Sequence, residues 1–107
     1  MSKVKIIRLM SGEEIIANIT EKSLNDKVVA YQLKDPAVLI PTPEGKLMFA
    51  KWLPYADIKE GITIEERFVV FSVVPQKDLE DHFISVVVGG LFVPPKKVID
   101  SPLKLSV

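Results

Sequence analysis

The apolar positions near the start of the chain fall into two β-like runs, Val4–Met10 and Glu14–Thr20, on either side of Ser11-Gly12. Glycine adopts positive φ without steric cost, so the pair predicts a tight hairpin. In the second run Ile15, Ala17 and Ile19 alternate with Glu14, Ile16, Asn18 and Thr20. That period of two sets one face of a strand on a core. In the first run Ile6 and Ile7 are adjacent, and the alternation is less clean.

Further strands follow. Ser23-Leu24-Asn25-Asp26-Lys27 is a polar turn cluster, and Val28–Leu33 reads as a third strand. Pro36 has no amide to donate, which predicts an interruption or an edge position before Ala37–Ile40 continues. Pro41-Thr42-Pro43-Glu44-Gly45 is a loop, Leu47–Leu53 a fourth strand closed by Pro54, and Tyr55–Gly61 a mixed polar connection. Ile62–Ile64 resumes strand pattern before the charged turn Glu65-Glu66-Arg67. Phe68–Val74 is apolar on both faces, which suits a central strand buried on both sides or a face in a subunit contact.

From Gln76 the period changes. Leu79, Phe83, Val86 and Val87 fall at helical spacing with Lys77, Asp78, Glu80 and Asp81 between them. This predicts one amphipathic helix over about 76–88, acidic in its first turn and stopped by Gly89-Gly90. The valines at 86–88 also suit a strand. Residues 89–107, with Pro94, Pro95 and Pro102, read as an extended tail.

At 107 residues the chain is expected to be a single domain, 1–107. With 48% hydrophobic residues, its core is too small to hold them all, so apolar surface is expected against another copy or a partner. Fourteen basic and fourteen acidic residues balance, so no global field draws the chain to nucleic acid or to an anionic membrane. There is no cysteine, which excludes disulfides, thiolate metal sites and cysteine nucleophiles. Lys3, Lys5 and Arg8 interrupt any signal-peptide core, and no apolar run approaches the roughly 20 residues of a membrane span. A soluble, cytoplasmic protein is the expectation.

Candidate chemistry is sparse. His82, the only histidine, borders the apolar stripe of the helix and has no nucleophile pattern beside it. Glu13-Glu14 and Glu65-Glu66 are adjacent pairs, and neighbours on a strand point to opposite faces, so neither converges as paired catalytic carboxylates must. Gly89-Gly90 lacks the spacing and the Lys-Ser/Thr of a phosphate loop. Phe49 and Trp52 lie three apart and face opposite ways; core packing is their default, with base stacking or an interface as the alternative. No enzymatic activity, cofactor or metal is expected.

The order of a Gly-turn hairpin, a long third strand, a fourth strand and a charged turn into an apolar strand resembles the Sm-like family of ring-forming RNA-binding proteins. That family includes the bacterial Hfq type. Ile7, Leu9, Gly12, Ile15 and Ile19 fit its opening hairpin, and Ile64–Phe71 resembles its turn between the last two strands. The sequence is most similar to Sm-like proteins of marine cyanobacterial viruses, through Gly12-Glu13-Glu14, Asp35-Pro36-Ala37 and Trp52–Tyr55. The likeness covers about residues 3–88. Three places depart from it: the helix follows the strands instead of preceding them, and Ala17 replaces the glycine at the bend of the second strand, which predicts a gentler bend. Glu65-Glu66 stands where an arginine-glycine pair belongs, so the uridine-reading pocket is not carried over.

The resemblance implies a bent five-stranded antiparallel, SH3-like barrel over about 3–75 with one C-terminal helix. It implies a homo-oligomeric ring of roughly five to seven subunits, joined through open strand edges. Phe68, Val70, Phe71 and Val73 are the candidate interface. It also implies binding of RNA or single-stranded DNA through Lys22, Asn25, Lys27 and Arg67, gathered by symmetry around the ring and serving RNA or DNA processing. The alternative is a non-enzymatic scaffold ring of a viral particle or of an infected bacterial cell.

Overall fold

The computed structural model of the protein describes residues 2–88, so the predicted Gly89-Gly90 stop and the tail lie outside the described residues. Strands β1 (Ser2–Leu9) and β2 (Glu14–Leu24) form the expected hairpin. Leu9 N–H donates to Glu13 O at 2.9 Å, and Gly12, at φ 97°, donates to Leu9 O at 2.8 Å. The loop thus places its glycine where positive φ is required. Strand β3 (Lys27–Pro41) pairs with β2 along most of its length and returns as β4 (Leu47–Lys51). Strands β5 (Ile62–Glu65) and β6 (Val69–Val73) flank one 3-10 turn, Glu66–Phe68. The antiparallel order is β4-β3-β2-β1-β6, with β5 also on β3. The outer edge of β3 is therefore shared, Ala37–Pro41 going to β4 and Ala30–Leu33 to β5.

This pairing forces the sheet to curl. In a flat sheet β5 and β6 would lie four strand spacings apart, roughly 19 Å. Glu65, paired with Ala30, and Val69, paired with Leu9, are joined by a turn whose backbone reaches at most about 14 Å. Only a strongly curved sheet satisfies both pairings. Even so, its described residues make a six-stranded sheet that is not closed into a barrel, where the sequence predicts five strands in a barrel. The additional strand is β5, which the charged turn separates from β6.

Part of the curvature comes from β3. Ile16 pairs with Ala37 and Asn18 with Lys34, so Asp35 and Pro36 together oppose Ala17. This is a β-bulge, which bends and twists the strand that carries it. Asp35 takes φ 53°, a left-handed conformation that Asp tolerates better than most residues, and Pro36 falls where no ladder donor is needed. The bend thus needs no glycine in β2, and Ala17 is fully buried there.

The bulge also flips the parity of β3. Before it Tyr31 and Leu33 face the concave side with Ile7, Leu9, Ile15, Ala17 and Ile19. After it Ala37 and Leu39 face the convex side with Ile16 and Phe49. Both faces of the sheet are covered, which explains why Ile6 and Ile7 are adjacent: Ile7 belongs to the concave core, and Ile6 packs against the convex one.

The convex core lies beneath α1 (Lys77–Phe83), which continues through a π-helical turn, Ile84–Val88. Phe83 is fully buried, with Leu79, Val86 and Val87 packed around the same cluster. These are the four positions of the helical period, and burying Phe83 alone contributes about 1.5–3 kcal/mol. Of the two readings of Phe68–Val74, a central strand or a face in a subunit contact, the first does not hold: β6 pairs only with β1 among the described residues. No helix among them is long and apolar enough to cross a membrane.

Candidate nucleic-acid interface

The β2–β3 connection is a two-residue turn. Asn25 and Asp26, at φ 54° and 66°, both take the left-handed conformation that such a hairpin requires. Lys27 opens β3 directly after it. Because β5 pairs with β3, Glu65 stands opposite Ala30, and the 3-10 turn comes to lie beside the start of β3. Lys27 and Arg67, far apart in the chain, thereby line one open hollow of about 620 Å³ with Val28, Val29, Tyr31, Glu65 and Glu66.

Two of the four predicted binding residues meet there and two do not. Asn25 sits at the tip of the turn and is not part of the lining. Lys22 pairs with Ala30, which pairs with Glu65, so these three share one face of the sheet. Tyr31 belongs to the concave face, and Lys22 does not reach the hollow. Tyr31 is the residue that sequence reasoning missed. Spacing alone does not reveal it, because a register shift opposite Lys22 and Ser23 leaves Val29 as an extra residue, so that Val28 and Tyr31, three apart, share the concave face.

The electrostatics of the hollow are mixed. Arg67 Nε donates to Glu65 Oε1 at 2.7 Å, and its guanidinium lies 4.8 Å above the Phe68 ring centroid. Both partners of this ion pair are largely exposed, so it adds little stability. It draws the guanidinium toward Glu65 and offsets part of its charge. Lys27 makes no ion pair among the described residues, while Glu66 adds a second carboxylate. Burial raises the pKa of the Tyr31 hydroxyl, and the carboxylates of Glu21 and Glu66 raise it further. On the same concave face Lys5 Nζ lies 3.7 Å from Glu21 Oε2.

The candidate interface residues are exposed. Val70 is 56%, Phe71 37% and Val73 44% accessible, with Val74 beyond them at 71%. Phe68 is exposed too, but it lies in the 3-10 turn and not in β6, and its carbonyl accepts the Met10 N–H at 2.9 Å.

The remaining candidates have structural roles. His82 stacks on Phe49 at 5.2 Å between ring centroids, on the helix side of the sheet, away from the face that holds Tyr31. Phe49 belongs to the convex core and Trp52 packs against the concave one, so they do face opposite ways. Glu13 accepts a hydrogen bond from the Ser11 hydroxyl at 3.2 Å, and Glu14 lies 3.9 Å from Arg8. Among the described residues no group of three or more His, Cys, Asp or Glu side chains could hold a metal ion. No protein-family model matches the chain, and no curated protein is significantly similar to it.

Proposed function

We propose that this protein assembles edge to edge with copies of itself and that the assembly binds single-stranded nucleic acid with little base preference. The carrying observation is the hollow that unites Lys27, Arg67 and Tyr31 at the meeting of two turns. A curled antiparallel sheet, a glycine-turn hairpin and a short turn into the last strand support the Sm-like reading of the chain. In an assembly of this kind each hollow recurs once per subunit, and a modest local charge is multiplied although the chain carries no net charge. The β6 edge, with Val70, Phe71 and Val73, supplies the contact between copies.

A titration tests it. Labelled oligo(U) and oligo(A) are added to the protein at low and at moderate salt, and anisotropy is read. The proposal expects both strands to bind with similar affinity, binding to fall steeply with salt, and Lys27→Glu to weaken it. No binding at low salt would refute it. The second reading, a scaffold ring, is favoured by one specific observation: Glu65 neutralises Arg67, and Glu66 offsets Lys27 in the same hollow.

A further inference from the structure

The turn between β5 and β6 carries more than charge. Phe68 is an aromatic ring 46% exposed at the surface of a turn, and Arg67 lies over one side of it. Arg67 does not hold this pose alone, since Glu65 accepts its Nε–H at 2.7 Å. The turn is tied down as well: Met10 N–H donates to Phe68 O, and Leu9 pairs with Val69. Met10, 69% exposed, adds apolar surface beside it. The carboxylate orients the guanidinium, the guanidinium covers the ring, and the hairpin fixes the backbone beneath. The turn backbone is therefore fixed before any ligand arrives, and the exposed ion pair biases the guanidinium toward the ring.

We infer that Glu65, Arg67 and Phe68 form a stacking platform for an unpaired nucleobase, at the rim of the hollow that holds Lys27. This inference rests on the nucleic-acid reading above and specifies its chemistry. Every base presents a π face, so stacking on a phenyl ring or on a guanidinium plane is tolerant of sequence. A base in a duplex has both faces occupied, so the platform selects single strands. The neutralised Arg67 contributes through its plane and not through its net charge. Binding therefore divides into two parts: a salt-sensitive part at Lys27 and a salt-insensitive part at Phe68. Phe68 lies in the turn, so a contact between copies along β6 does not require it.

The test uses the full chain and a short fluorescein-labelled oligo(U), read by anisotropy at about 50 and about 200 mM salt. Phe68→Ala is expected to weaken binding by roughly fivefold or more at both salt concentrations, leaving the salt dependence unchanged. Glu65→Gln, which unmasks the arginine charge, is expected to tighten binding at low salt and steepen its fall with salt. Phe68→Trp is expected to bind as well as the native chain, and its new indole emission should be quenched by unlabelled oligo(U). Trp52, the only native tryptophan, is partly buried against the concave core, and the native chain provides the control emission. If Phe68→Ala binds like the native chain, or Phe68→Trp binds without quenching, the platform is refuted while the nucleic-acid reading stands. If the native chain binds nothing at low salt, both are refuted.

Discussion

Strands β2 and β6 draw on the same vocabulary of branched and aromatic apolar residues, and the fold treats them in opposite ways. β2 lies between β1 and β3, with Ile15, Ala17 and Ile19 on one face and Ile16 on the other, all buried within the chain. Among the described residues β6 has a partner on one side only, and Val70, Phe71 and Val73 stay exposed. An apolar edge strand with unpaired backbone groups is a template for another strand, which natural proteins normally blunt with charge or proline. β6 has neither along Val69–Val73. Apolar residues on β2 are thus explained by packing within the sheet, whereas those on β6 are left uncovered among the described residues.

Substitutions sharpen this contrast. The largest effect is expected in the interior. Phe83→Ala removes the fully buried anchor between α1 and the convex core, and urea unfolding should report a loss of about 3–5 kcal/mol. Phe71→Ala at the exposed edge should leave monomer stability within about 1 kcal/mol. Equal losses at the two phenylalanines would break the distinction.

The glycines provide a second contrast. Gly61 has φ 95°, and a Cβ there would lie 2.8 Å from the Leu33 carbonyl oxygen, where the β4–β5 connection closes on β3. Gly12 has φ 97° and open space around it. Gly61→Ala should therefore cost about 2–3 kcal/mol and Gly12→Ala about 1 kcal/mol by the same unfolding measurement.

Much of this was legible in the sequence, for physical reasons. The period of two over Ile15–Ile19 and the glycine turn before it are local signals, and so is the spacing of Leu79, Phe83, Val86 and Val87 along the helix. What escaped depends on pairing between distant residues. Pro36 reads as an interruption or an edge position, and the ladder does break there at the Asp35-Pro36 bulge; the reversed parity of β3 beyond it follows from its pairing with β2 and β4. Phe68–Val74, apolar on both faces, suits either a central strand or a face in a subunit contact. Its edge position follows from the order of pairing, which composition does not encode. In the hollow, Lys27 and Arg67 were identifiable as turn cations. The pairing of Ala30 with Glu65 that joins them, and the ion pair that neutralises Arg67, were not.

A smaller effect concerns pH. The Tyr31 hydroxyl is held above its ordinary value of 10.0 by burial and by Glu21 and Glu66, so the fold favours the neutral phenol. That contribution is fully present below pH 10.0 and is lost as the pH rises from there through the folded-state value. Unfolding free energy measured from neutral to strongly alkaline pH should fall in that window, and Tyr31→Phe should flatten the decline.

The contrast between β2 and β6 turns on whether the exposed edge meets another copy. The most direct measurement is the mass of the native chain in dilute buffer by light scattering, beside that of Phe71→Glu. A native mass that is a multiple of 12.0 kDa, falling to 12.0 kDa in the variant with its unfolding curve preserved, is the predicted result. A native chain that scatters as a 12.0 kDa monomer would contradict the account.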